Sequence, residues 1–104
     1  MLWNNRLYVG EMAEPHKKTI VKKIKNNKVQ LGIYVLALPA NEENVMDIYP
    51  AQVLLQEHFK KSNQLIIGIA KGKDEAFELM MQIITDSITE TGSYRVKDLV
   101  EKYS

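Results

Sequence analysis

Two short runs of this sequence are apolar almost without interruption: Gly32 to Leu38, ended by Pro39, and Leu65 to Ala70, ended by Lys71-Gly72. Runs of this length bounded by turn residues read as β-strands. The lack of polar alternation means that both faces of each strand meet apolar neighbours. Such strands are typical of parallel sheets covered by helices on either side, whereas half-solvated antiparallel strands alternate apolar with polar. The two runs are therefore expected to be the central, parallel strands of an α/β fold. Neither approaches the roughly 20 residues that a membrane-crossing helix needs.

The rest of the chain supplies a strand before these runs and helices between and after them. Leu7-Tyr8-Val9, closed by Gly10, reads as the first strand, with Trp3 either extending it or forming a second arm that turns at Asn4-Asn5. Pro15 suits the first turn of a helix over 15–27 whose apolar stripe is Ile20, Val21 and Ile24. Pro50 is expected to open a helix carrying Val53, Leu54, Leu55 and Phe59 and ending near Lys60-Lys61-Ser62-Asn63, which would complete a strand–helix–strand crossover. The clearest helix spans 74–91: Phe77, Met80, Met81, Ile84 and Ile88 form its stripe, Asp74, Glu75 and Glu78 sit near its positive end, and Gly92 suits the C′ position. Val96, Leu99, Val100 and Tyr103 place a final helix over 93–103. The expected fold is one α/β domain over 1–104, a small, mostly parallel sheet of three or four strands in the order β-α-β-α-β-α-α. It resembles a flavodoxin-like or Rossmann-like half, a likeness of architecture that carries no function. Ile33, Val35, Ile67, Ile69, Phe77, Met80, Ile84 and Ile88 are the expected core.

In open parallel sheets ligands bind beyond the C-terminal ends of the strands, which selects the loops Gly10 to Glu14, Pro39 to Asp47 and Lys71 to Asp74. Lys71, Gly72 and Lys73 lie between a strand and a helix N-terminus, where free N–H groups favour anions. With Asn41 and Asp47 they make the candidate ligand or anion site. The segment Gly68 to Asp74 hints at a P-loop, but it has three residues between its glycines instead of four and Asp74 in place of the magnesium-binding hydroxyl. Asn41, Glu42, Glu43, Asn44 and Asp47 offer oxygen atoms without the spacing of a calcium loop, so no metal is expected. The chain has no cysteine, and His16 and His58, its two histidines, stand in no catalytic pattern. The reading is of no catalytic residues and no cofactor. The N-terminus, Met1 to Arg6, lacks the basic start and apolar stretch of a signal peptide, and a cytoplasmic protein of bacterial type is expected.

Charge is uneven along the chain. Residues 1–35 carry seven Lys or Arg against two acids, and residues 36–104 seven against eleven. Lys18, Lys22 and Lys25, with Lys17, Lys23 and Lys28 around them, give the first helix a basic outer face. Such a face can follow a phosphate backbone. The near-neutral net charge of +1, the absence of arginine in the helix and the lack of a nucleic-acid motif weigh against that use. A narrow sheet leaves edges that need covering, so Leu2 and Trp3, with Met80 and Met81, are the candidate association residues. The leading expectation is a non-enzymatic protein-association module, a homodimer or a partner for another protein. A small-ligand or anion-binding domain comes second, and nucleic-acid binding through the first helix third.

Overall fold

The computed structural model describes residues 2–39, 41 and 43–103. A four-stranded sheet is formed by β1 (Leu2–Val9), β2 (Ile33–Ala37), β3 (Asp47–Pro50) and β4 (Leu65–Lys71) in the order β1-β4-β2-β3. The helices are α1 (Lys17–Lys25), α2 (Glu57–Lys60), α3 (Lys73–Thr91) and α4 (Val96–Lys102), with 3₁₀ turns at Glu14–His16 and Ala51–Leu55. No helix among the described residues is long and apolar enough to cross a membrane.

The sheet is mixed, which corrects the expectation of a mostly parallel one. β4 runs parallel to β1 but antiparallel to β2, and β2 pairs antiparallel with β3. The physical reason lies in the segment 50–63. It was expected to hold one crossover helix, yet Asp47–Pro50 is a strand, and the helical stretch breaks at Gln56, whose backbone is extended (φ −70°, ψ 139°). β2 and β3 thus form a wide hairpin, and the fourth strand comes from 47–50 and not from an arm at Leu2 and Trp3, which belong to β1. The double-sided burial read from the two apolar runs holds all the same, because helices cover both faces of a mixed sheet as well as of a parallel one.

One face packs Val35, Ile66 and Ile69 against Ile20 and Ile24 of α1 and Ala51 and Leu54 of the 3₁₀ turn. The other packs Leu36, Ile67 and Ala70 against Ala76, Leu79 and Ile83 of α3 and Val96 and Leu99 of α4. β4 serves both and carries a β-bulge. Leu36 stands opposite Gly68 and Ala37 opposite Ile66, so Ile67 is an extra residue and the strand changes phase there. Without a side chain at Gly68, Leu79 of α3 can lie directly over the strand: a Cβ there would meet the Leu79 Cδ2 at 3.3 Å.

The stripe of α3 also differs from the expected one. Ala76, Leu79, Ile83 and Ser87 are buried, together with Glu75, whereas Phe77 is 45% exposed and Ile88 51%; Met80 and Ile84 lie half-buried at the boundary. The apolar arc of this helix is wider than the surface beneath it. Small Ala76 and Ser87 point to the sheet together with Leu79 and Ile83, and Phe77, Met81 and Ile88 face outward. Gly92 closes α3 in the left-handed region (φ 76°) with its N–H donating to the Ile88 carbonyl, as expected. Ser87 is fully buried, and its hydroxyl contacts the carbonyls of Ser93 and Arg95, fixing the turn into α4.

Candidate functional site

Because β1 and β4 are parallel, their C-terminal ends lie together, and the loops Gly10–Ala13 and Lys71–Lys73 meet there over the N-terminus of α3. They border an open cleft of about 560 Å³ whose walls include Met12, Lys71, Lys73, Glu75 and Glu78. Lys71 and Lys73 are exposed at its edge. The position at which an anion would be expected is filled by the protein itself. The Glu75 carboxylate, 9% exposed, accepts the Met12 N–H at 2.7 Å and the Lys71 N–H at 2.9 Å. It presses against Gly10 so closely that a Cβ on that glycine would overlap it. Glu75 therefore bridges the two strand ends as an internal anion. The Gly72 N–H donates to the Gly32 carbonyl at 2.7 Å.

Asn41 and Asp47 do not join this cleft. β2 is antiparallel to β4, so the loop that follows β2 emerges at the opposite end of the sheet, where Leu38 pairs with Leu65. The five residues Lys71, Gly72, Lys73, Asn41 and Asp47 are thus divided between two ends of the molecule, and the combined site expected from the sequence is not assembled. Asn41 accepts the Glu43 N–H in a local turn, and Asp47 accepts from the Tyr49 hydroxyl and from the Gln64 amide. Gln64 also donates to the Leu38 carbonyl at 2.7 Å, so that it ties both β3 and the end of β2 to the start of β4. Burial of Tyr49, reinforced by Asp47 and opposed by the Gln64 hydrogen bond, raises its phenol above the ordinary value. Glu42 lies outside the described residues. Among those described, no group of three or more His, Asp or Glu side chains is arranged to hold a metal ion.

Tyr8 on β1 reaches across to α3 and donates to Asp86 at 2.7 Å. Burial first, and then this acceptor, push its phenol well above the ordinary value. α4 is fastened over the same side of the sheet: the Arg6 guanidinium lies 3.8 Å over the Tyr103 ring, Lys102 donates to the Glu90 carbonyl, and Tyr103 bonds to Glu90.

The association candidates separate by environment. Trp3 is half-buried against the α1 side of the core, with Lys25 over its ring at 5.5 Å, whereas Leu2 is exposed. Met80 packs on the α3 side of the core, and Met81 is 58% exposed. Phe77 and Ile88 join Met81 in the open. Lys18, Lys22 and Lys25 are all exposed on one side of α1. Glu75 and Gly10 had no role as a pair in the sequence reading. An acid at the third position of a helix and a glycine ending a strand are each commonplace, and only the parallel pairing of β1 with β4 joins them. Comparison of the chain with models of known protein families, with curated proteins and with solved structures finds no match.

Proposed function

We propose that this chain is a protein-association module whose contact surface is the outer flank of α3 and whose partner is a second copy of itself. The observation that carries the reading is the second apolar stripe of that helix. Phe77, Met81 and Ile88 are exposed at successive turns beside half-buried Ile84, on a helix that already buries Ala76, Leu79, Ile83 and Ser87. A helix apolar over two faces needs partners on both. The stripe continues inward to half-buried Met80, Ile48 and Tyr34 on the same side of the sheet. Exposed Asp74, Glu78, Thr85 and Thr89 border it outward as a polar rim.

A straight helical stripe is self-complementary about a two-fold axis, with Phe77 of one copy against Ile88 of the other and Met81 against Ile84. Isologous contacts of this type are the commonest among soluble oligomers. The β1 edge is a poorer contact: pairing between β1 and β4 slips between Trp3 and Tyr8, and the Asn4 amide donates to the Arg6 carbonyl, so that edge already uses part of its own backbone. The cleft at Glu75 is the weaker reading, because the Met12 and Lys71 N–H groups already donate to the Glu75 carboxylate and the Gly72 N–H to the Gly32 carbonyl.

Light scattering during size exclusion tests the proposal. A mass of twice 12.0 kDa is expected for the native chain and a mass of 12.0 kDa for Met81→Lys. A native chain that stays at 12.0 kDa on hundredfold concentration, or a Met81→Lys variant that still dimerises, overturns it.

A further inference from the structure

The lysine face of α1 lies on the opposite side of the sheet from the α3 stripe, so the contact proposed above leaves it uncovered. From residue 15 to residue 28 the chain has six lysines and no acid. Lys17, Lys18, Lys22 and Lys25 surround Val21 on a shallow surface of about 470 Å³, and among the described residues none of them forms a salt bridge. We infer that this face binds the phosphate backbone of duplex nucleic acid without reading its sequence.

The geometry favours that partner among polyanions. Lys18, Lys22 and Lys25 follow one helical row about 10 Å long at 1.5 Å per residue. A stretch of duplex axis of that length carries about three phosphates of one strand, one for each roughly 3.4 Å of axial rise. An anionic membrane fits less well, since an interfacial helix inserts its apolar side into the lipid, and here Ile20 and Ile24 are buried in the core. A single strand would need an open aromatic surface for its bases. The nearby Trp3 is half-buried, with Lys25 already over its ring. The absence of arginine from this helix counts against base reading and leaves backbone contact open, because lysine acts as a point charge and lacks the fork that reads guanine. The near-neutral net charge is no obstacle, since the compensating acids lie in the second two-thirds of the sequence and phosphate contacts respond to the local field.

The test is fluorescence anisotropy with a labelled duplex of mixed sequence. Three lysine–phosphate contacts predict that affinity falls by about 40-fold between about 50 mM and about 200 mM monovalent salt, equally for unrelated duplex sequences. Lys18→Gln/Lys22→Gln/Lys25→Gln is expected to lose binding, Lys18→Arg/Lys22→Arg/Lys25→Arg to keep it, and Lys71→Gln/Lys73→Gln/Lys97→Gln, with the same change in net charge, to bind like the native chain. Circular dichroism checks that each variant folds, and the Arg variant decides the matter if the Gln variant does not. No binding at low salt, binding indifferent to salt, equal loss in both Gln variants, loss of binding in the folded Arg variant, or tighter binding to vesicles of anionic phospholipid than to duplex overturns the inference.

Discussion

Replacing Gly10 by alanine tests how far Glu75 holds the two parallel strand ends together. Gly10 does not have a positive φ, so alanine there meets no backbone strain, and the substitution acts through space alone. Its Cβ would come within 2.7 Å of the Glu75 Cγ and closer still to the carboxylate, which must then leave. With it go the acceptors of the Met12 and Lys71 N–H groups. A hydrogen bond to a charged group contributes about 1.5 to 3 kcal/mol, and water entering from the open cleft restores part of that, so a net loss of about 2 to 4 kcal/mol is expected for the pair. Glu75→Ala removes the same two bonds and should cost about the same. In the double variant the added methyl no longer meets a carboxylate. Gly10→Ala should then be neutral, or stabilising by about 0.4 to 1 kcal/mol through the unfolded chain. The cycle should show a coupling of about 2 to 5 kcal/mol, the loss expected for Gly10→Ala alone plus any gain in the double variant. Urea unfolding followed by the fluorescence of Trp3, the sole tryptophan, measures it. Additive losses in the double variant would refute the argument that the glycine exists to admit the carboxylate.

Ile67→Ala, at the bulge and 1% exposed, should cost about 2 to 5 kcal/mol by cavity formation in the same assay; a loss below about 1 kcal/mol would mean that the α3-side core closes around the gap. Tyr8 and Tyr49 are held protonated in the fold, so as pH rises past their ordinary value of 10.0 the unfolded chain gives up these protons first. Stability contributed by this difference is intact below 10.0 and falls as pH climbs above it. Thermal melts across this range should show a shallower alkaline decline for Tyr8→Phe/Tyr49→Phe than for the native chain, and parallel declines would remove both phenols from the account.

The strands at 33–37 and 65–71 and the long helix with its glycine stop were legible because each is written in contiguous residues: an apolar run, a 3.6-residue period, a left-handed cap. Strand direction was not. Burial of both faces is typical of parallel pairing, but it reports only that helices cover both sides. The sign of the β2–β4 pairing depended on Asp47–Pro50, too short and too mixed in character to stand out, and on the break at Gln56 inside what looked like a single helix. The same reversal dispersed the expected ligand site, since Asn41 and Asp47 were assigned to the wrong end of the sheet. On α3 the period was right and the face was not, because the residues that fit beneath it are the smaller ones, Ala76 and Ser87, and hydrophobicity alone ranks Phe77 and Ile88 above them. The lysine row of α1 was visible in full, as it depends on one helix and nothing else.

The position of β4 has a consequence for how the chain reaches its native state. This strand is third from the last element in the sequence, yet it lies between β1 and β2 and contributes Ile66 and Ile69 to one core and Ile67 and Ala70 to the other. Until Leu65–Lys71 has been synthesised, β1 has no partner, the β2–β3 hairpin stands alone, and neither core can close; a lone hairpin is marginal in water. A nascent chain of this protein therefore remains unfolded through its first two-thirds and acquires both layers together once one strand slides into the gap. The sequence separation between β1 and β4 makes that closure a slow, long-range step. The same geometry leaves no stable half-folded form, since withdrawing that one strand dissolves both cores at once.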